Sequence, residues 1–368
     1  MIKLKTRDLQ DLVSKAVQCA SNNKLLPITG LIGLCEVEGD FRVITTDSTN
    51  YLILNCPTVE CEDAGFVATV GVTMFAKLIG KMTSEFVTMT LTDNYLEIKG
   101  NGTYKIELPM DETGKNIVFP NPYKKFVKYF ASEKETGKLL SSTVHAAVNS
   151  VKSALATTPE VPCYMSYYVK DKIVGTDTYT IASLNAHAFD SACLLYASTL
   201  DLLCLSQSDL EYEIYPDGML SFSSPELNLV SHTAGDVTEF SINTIEKLVV
   251  TEMPCVCEIA KDDMLRLLDR LSLFVSPYDK NGIHLAFSDT CLTVSSISTS
   301  GEEEIPYINA TNAEPLEWFD CTIDVEVLNA QIKSVVSERV EIGYGREDMI
   351  TLMSNNLTQV IALLNEVE

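Results

Sequence analysis

RDLQDLVSKAVQC, residues 7–19, is the stretch from which the fold is read. Its apolar positions Leu9, Leu12, Val13, Ala16 and Val17 follow the i, i+3, i+4 spacing of a helix with one buried face. Comparable stretches run over 139–156, striped by Leu140, Val144, Ala147, Val148, Val151 and Leu155, and over 261–275, striped by Met264, Leu265, Leu268 and Leu271. After each come strand pairs, a second helical stretch (72–82, 198–208, 325–338) and a further strand (87–91, 211–215, 340–344). Equivalent points recur at intervals of roughly 120 to 130 residues, a domain length rather than the short unit of a solenoid. Strands outnumber helices in each repeat, and alternation such as Tyr212/Ile214 and Ile342/Tyr344 predicts antiparallel sheets with one covered face. Hairpin turns are signalled at Glu38-Gly39-Asp40, Thr92-Asp93-Asn94 and Asp217-Gly218. Residues 109–137, with Pro109, Gly114, Pro120, Pro122 and Gly137, read as a linker. The expected fold class is α+β: three similar domains of two helices each, over 1–122, 123–250 and 251–368.

Composition narrows the function. The chain of 368 residues is 46% hydrophobic, enough for several cores, yet no apolar run approaches the ~20 residues of a membrane helix. Met1-Ile2-Lys3-Leu4-Lys5 enters a strand-like segment without a signal-peptide core, which predicts a cytoplasmic protein with no membrane partner. The 11 cysteines form no framework; Cys56/Cys61 and Cys255/Cys257 lack the second pair or the histidines of a zinc site, and reduced buried thiols are expected. A net charge of −24 opposes general nucleic-acid affinity, but the charge is uneven. The six helical stretches hold nine basic and eight acidic residues, so the acid excess lies in strands and loops. A surface built from those helices would be the only one not repelling a polyanion.

Catalytic chemistry is not apparent. His145, His187, His232 and His284 share no helical face, and no G-x-S-x-G, Walker or G-x-G-x-x-G motif occurs. Gly100-Asn101-Gly102 precedes strand residues and reads as a turn. Asp47 and Asp177, each preceded by Thr, occupy matching places in the first two repeats. They are either paired acids for a cation or proton transfer, or side-chain caps of turns at strand ends, and duplication favours the caps. The run Tyr123-Lys124-Lys125-Phe126-Val127-Lys128 is either a phosphate contact or a solvated inter-domain strand. The expectation is a non-enzyme without metal or cofactor; the alternative is a metal-dependent enzyme of repeated α+β domains.

Four segments, in order along the chain, carry a resemblance: Lys24-Leu25-Leu26-Pro27-Ile28, Thr45-Thr46-Asp47, Thr176-Asp177-Thr178-Tyr179-Thr180-Ile181-Ala182, and 266–275 with Asn281-Gly282-Ile283. Together they resemble a divergent bacterial DNA polymerase III beta subunit, the beta sliding clamp. The resemblance implies a head-to-tail homodimer forming a six-domain ring, helices lining the hole, that encircles double-stranded DNA as a processivity factor. The implied partners are the replicative DNA polymerase and the clamp loader, held through short peptide motifs. It places Lys24, Lys77, Lys81, Lys152, Arg266 and Lys333 facing DNA. It places Met165, Thr176, Thr178, Ile181, Asn243, Lys247, Leu248, Met349, Val360, Ala362, Leu363 and Leu364 in a peptide pocket between domains two and three. Tyr104, Ile106, Leu273 and Phe274 fall at the dimer seam. The chain departs from the family where Gly-His-Arg becomes Thr178-Tyr179-Thr180 and where a Met-Pro-Met-basic terminus becomes 362–368. An adaptor that keeps the clamp fold without DNA binding is a further alternative.

Overall fold

The computed structural model describes residues 1–368 except 22, 38, 63–64, 121–132, 298–300, 313–317 and 365–368. The basic run at 123–128, Glu38 of the first predicted turn and the last four residues of the tail lie outside the described residues.

The described α-helices are α1 (Thr6–Ala16), α2 (Val72–Gly80), α3 (Ser141–Val151), α4 (Ala197–Leu203), α5 (Ile242–Val249), α6 (Lys261–Leu271) and α7 (Val325–Ser334). The stripe of α1 is buried as its spacing requires, through Leu9, Leu12, Val13 and Ala16. The repeat is visible in the turns after each first helix. The helices α1, α3 and α6 tighten into 3-10 turns at Val17–Cys19, Lys152–Ala154 and Ser272–Phe274. A second 3-10 turn, each begun by a proline, comes at Pro27–Gly30, Pro162–Met165 and Pro277–Asp279. Proline suits that position because the first N–H of a helical turn has no partner to lose. The first predicted helix of each repeat therefore ends in 3-10 geometry rather than α. Helix α5 lies outside the predicted set; with eight residues it is too short for its period to stand out.

Contacts gather the chain into two compact units, Met1–Val144 with Ser198–Thr233, and His145–Ala197 with Ala234–Glu368. In the first unit a five-stranded sheet runs Glu60–Cys61, Ile2–Lys5, Phe86–Leu91, Tyr95–Lys99, Thr103–Glu107. Its eight-stranded sheet runs Glu135–Leu139, Leu210–Ile214, Met219–Ser223, Leu227–His232, Tyr51–Pro57, Asp40–Thr46, Leu31–Val37, Val67–Gly71. In the second unit the nine-stranded sheet runs Cys193–Tyr196, Ser166–Val169, Ile173–Thr176, Thr180–Leu184, Leu357–Ala362, Met349–Ser354, Arg339–Tyr344, Cys255–Ala260, Asn309–Asn312. A four-stranded sheet there runs Glu302–Pro306, Cys291–Ser296, Gly282–Phe287, Phe319–Asp324. All recorded pairings between these strands are antiparallel, as the alternation predicted.

Each large sheet is closed by the same seam. In the first unit Leu227–His232 pairs with Tyr51–Pro57, Val230 opposite Tyr51 and Leu227 opposite Leu54. In the second, Leu357–Ala362 pairs with Thr180–Leu184, Val360 opposite Ile181 and Leu357 opposite Leu184. The two registers correspond residue for residue.

Just before each seam lies one of the Thr-Asp pairs, and both build the same turn. The Asp47 carboxylate accepts the N–H groups of Thr49 (2.9 Å) and Asn50 (2.7 Å); Asp177 accepts those of Tyr179 (2.9 Å) and Thr180 (2.6 Å). Thr46 Oγ1 donates to the Asn50 carbonyl at 2.7 Å, and Thr176 Oγ1 donates to that of Thr180 at 2.7 Å. The duplicated acids are thus spent on backbone donors, which is the capped-turn reading. The turns require left-handed backbone at Ser48 (φ 90) and Thr178 (φ 83). For Thr178 this is costly, because a β-branched side chain crowds the backbone there. Replacing Thr178 by Gly should raise stability by about 1 kcal/mol, and Asp177→Ala should lower it by about 1–3 kcal/mol. Urea unfolding checks both; a D177A variant as stable as the parent would contradict the capping role.

Candidate peptide-binding cleft and nucleic-acid interface

The twelve residues assigned to the peptide pocket separate into distinct environments. Ile181, Met349 and Val360 are buried in a cluster with Tyr168, Val174, Phe240 and Ile245, and Leu248 of α5 packs against it. Phe240 stacks on Tyr168 at 5.5 Å between ring centroids. Ile181, Met349 and Val360 are thus core side chains, and half-buried Leu248 borders them. Thr176 is buried by its turn bond, whereas Asn243 and Lys247 on α5 are exposed. Met165, at the end of its 3-10 turn, is 38% exposed.

Ala362, Leu363 and Leu364 do line a cleft, of about 450 Å³, together with Asp177, Tyr179, Lys280, Ile323, Asp324, Val327 and Ile361. The backbone of that wall is fixed: the N–H groups of Ala362, Leu363 and Leu364 donate to the carbonyls of Tyr179 (2.9 Å), Asp348 (3.0 Å) and Thr322 (2.9 Å). Thr178 lies on a second cleft of about 280 Å³, lined with Asp177, Tyr179, Leu155, Val161 and Tyr164 among others. The 177–179 turn is common to both clefts, and Tyr179 is 72% exposed. The carboxylates of the larger cleft are committed to backbone donors. Asp177 caps its turn, and Asp324 accepts the N–H groups of Glu326 (2.8 Å) and Val327 (3.3 Å) at the start of α7. What remains is an apolar trough with Lys280 at its edge, suited to apolar side chains of an extended segment.

Tyr179, Lys280, Ile323, Val327 and Ile361 were absent from the sequence-derived set. For Val327 a signal existed. It is apolar but lies off the Val325, Leu328, Ile332 stripe of α7, and it is only half-buried. The others reach the cleft through the seam register and the proline-led turn, neither of which periodicity reveals.

All six cations assigned to DNA are exposed. Arg266 pairs with Asp263 at 2.9 Å, and its Nε donates to the Asp262 carbonyl at 3.2 Å. Such an exposed pair is weak and exchangeable. Arg270, also on α6, is instead held by both oxygens of Glu303.

At the assigned seam, Leu273 and Phe274 are 80% and 48% exposed, so neither is a core side chain. Tyr104 is 40% exposed, but Ile106 is buried in its own sheet. Their strand, Thr103–Glu107, is an edge of the five-stranded sheet, and Glu302–Pro306 is an edge of the four-stranded one. Among the described strands neither has a neighbour on its outer side, where an edge strand presents backbone groups for pairing.

Burial pushes the thiols of Cys19, Cys56, Cys257 and Cys321 up to about 12. Among the described residues no group of three or more His, Cys, Asp or Glu side chains is placed to hold a metal, and no helix is long and apolar enough to cross a membrane. Iodoacetamide at about pH 8 should modify exposed Cys61 first and spare these four thiols until the chain unfolds. Peptide mass mapping reads this out; rapid native modification of Cys257 would contradict its burial.

No protein-family model and no curated protein sequence matches the chain. Solved structures do. The DNA polymerase III beta subunit of Thermotoga maritima superposes with a TM-score of 0.82 at 13% identity, covering 100% of this chain and 99% of that one. The DNA polymerase sliding clamp of Bacillus subtilis gives the same values, 0.82, 13%, 100% and 99%. That of Pseudomonas aeruginosa gives 0.78 at 14% identity, with 99% of each chain covered. The chain therefore has an α+β fold of helices and antiparallel sheets, and that fold, over its full length, is the one seen in bacterial beta sliding clamps.

Proposed function

We infer that the protein is a DNA sliding clamp: a non-enzymatic, cytoplasmic processivity factor that encircles duplex DNA as a ring-shaped homodimer. In this reading it tethers the replicative DNA polymerase and other partners, including the clamp loader, through short peptide motifs. The observation that carries the reading is the match to beta clamps over the whole chain at a TM-score of 0.82. The division into clamp domains over 1–122, 123–250 and 251–368 belongs to the same proposal.

Three local features support it. The helices are near charge balance in a chain of net charge −24, and Lys24, Lys77, Lys81, Lys152, Arg266 and Lys333 are all exposed. Such cations attract phosphates weakly, without regard to sequence and in a salt-dependent way. A clamp needs no more than that, since topology rather than affinity would retain it. Next, exposed Leu273 and Phe274 and the edge strand Thr103–Glu107 offer the apolar contact and backbone pairing of a subunit seam. Finally, the cleft beside Tyr179 has the apolar lining that a Leu- or Phe-bearing peptide would fill. The enzyme alternative loses its best residues, because Asp47 and Asp177 are turn caps.

Sedimentation velocity at micromolar concentration should show a dimer, converted to monomer by Leu273→Ala with Phe274→Ala; a strict monomer for the parent chain would overturn the proposal. Reversing Lys77, Lys81 and Arg266 to Glu should lower retention on nicked circular DNA by roughly tenfold at low salt. Unchanged retention would remove the helices from the DNA-facing surface.

A further inference from the structure

The repeated seam allows the cleft to be compared with its own counterpart. In the second unit the cleft lies where the capped turn 177–179, the start of α7 and the strand Leu357–Ala362 converge. In the first unit the equivalent elements are the capped turn at Asp47, the start of α4 and the strand Leu227–His232. Register fixes two of the equivalences and position within the helix gives the third. Asn50 and Thr180 each precede a seam residue, Tyr51 and Ile181. Ser231 and Ile361 each come directly after the partners of those residues, Val230 and Val360. Thr199 and Val327 are each the third residue of their helix, α4 and α7.

At the first-unit positions the three side chains bond to one another. Thr199 Oγ1 donates to Asn50 Oδ1 at 2.8 Å and lies 3.0 Å from Ser231 Oγ. Asn50 Nδ2 donates to Asp47 Oδ2 at 2.8 Å and to Ser198 Oγ at 3.0 Å. Asn50, Thr199 and Ser231 are each 0% exposed. At the second-unit positions this connection is missing. Thr180 Oγ1 turns back to Asp177 at 2.8 Å, and Val327 and Ile361 have no polar atom with which to answer it. Both of those apolar residues line the open cleft.

We propose that the Asn50–Thr199–Ser231 cluster is a polar lock closing a dormant counterpart of the cleft, and that Val327 and Ile361, which line the second-unit cleft, together with Thr180, whose hydroxyl is bonded back to Asp177, are the determinants that leave it open and apolar. The occupant is a short extended peptide carrying apolar side chains two residues apart, which lie on the same face of a strand. A polar lock excludes such a peptide because entry would strip buried hydrogen-bonding groups of their partners. The proposal rests on the peptide-docking reading and adds to it which residues decide that one unit of the chain binds and the other does not.

The test is an exchange of the two triads in the full chain, using fluorescein-labelled Ser-Leu-Ser-Phe-Ser as probe, with a crystal structure of each variant. The parent should bind one peptide per chain. The variant Thr180→Asn/Val327→Thr/Ile361→Ser should bind about tenfold more weakly, its crystal structure showing the introduced amide and hydroxyls bonded across a closed cleft. The converse variant, Asn50→Thr/Thr199→Val/Ser231→Ile, should take up a second peptide. Undiminished binding or an open cleft in the first variant, or a single peptide in the second, would overturn the proposal. Should a triple variant fail to fold, Val327→Thr alone should still weaken binding several-fold, and unchanged affinity would count against the determinants. A parent chain that binds no peptide would sink the docking reading instead, while the two crystal structures would still judge the lock.

Discussion

The constraint on which the rest depends is the antiparallel seam by which the closing strand of one repeat joins a strand of the preceding one. Its register sets Val230 against Tyr51 and Val360 against Ile181. A strand pair satisfies a row of backbone donors and acceptors that would be costly to bury unpaired. A slip by one residue would turn every apolar side chain of the closing strand to the wrong face, so the register is strongly specified. Once the register is fixed, the helix before each closing hairpin must start beside the capped turn of the preceding repeat. The lock in one unit and the cleft in the other are two outcomes of that single placement.

The two capped turns show how the same geometry carries different roles. Both spend an aspartate on backbone N–H groups and both force a left-handed residue, Ser48 or Thr178. In the first unit the turn ends in Asn50, fully buried and bonded into α4. In the second it displays Tyr179 on the rim of two clefts. Strain at Thr178 is therefore a property of the turn, not of the cleft, since its counterpart shares it.

Much of the architecture was legible in the sequence because it is periodic. The stripes of α1 and α6 named most of their buried residues, although Val17 is exposed, Leu265 is only half-buried and buried Leu267 was missed, and alternation revealed the antiparallel strands. Helix α5 escaped because two turns contain too few apolar repeats to register. The capped-turn reading of Asp47 and Asp177 also held, since duplication argued for structure over chemistry. The cleft was less legible. Of the residues assigned by resemblance, Ala362, Leu363 and Leu364 line this cleft and Thr178 a second one, whereas Ile181, Met349 and Val360 lie in the core cluster. Which face a strand residue presents depends on the partner sheet, and Val327 and Ile361 meet only through long-range pairing that no local pattern encodes.

Under the proposed clamp function, DNA would be held by enclosure rather than by affinity. A net charge of −24 would repel a polyanion from most of the surface, whereas the helical stretches are near charge balance. Enclosure is also the property most directly open to measurement: retention of the loaded protein on nicked circular DNA before and after a single restriction cut. The account predicts stable retention on the circle and loss from the free ends after linearisation. Equal retention on both forms would contradict it, because binding would then rest on contacts and not on topology.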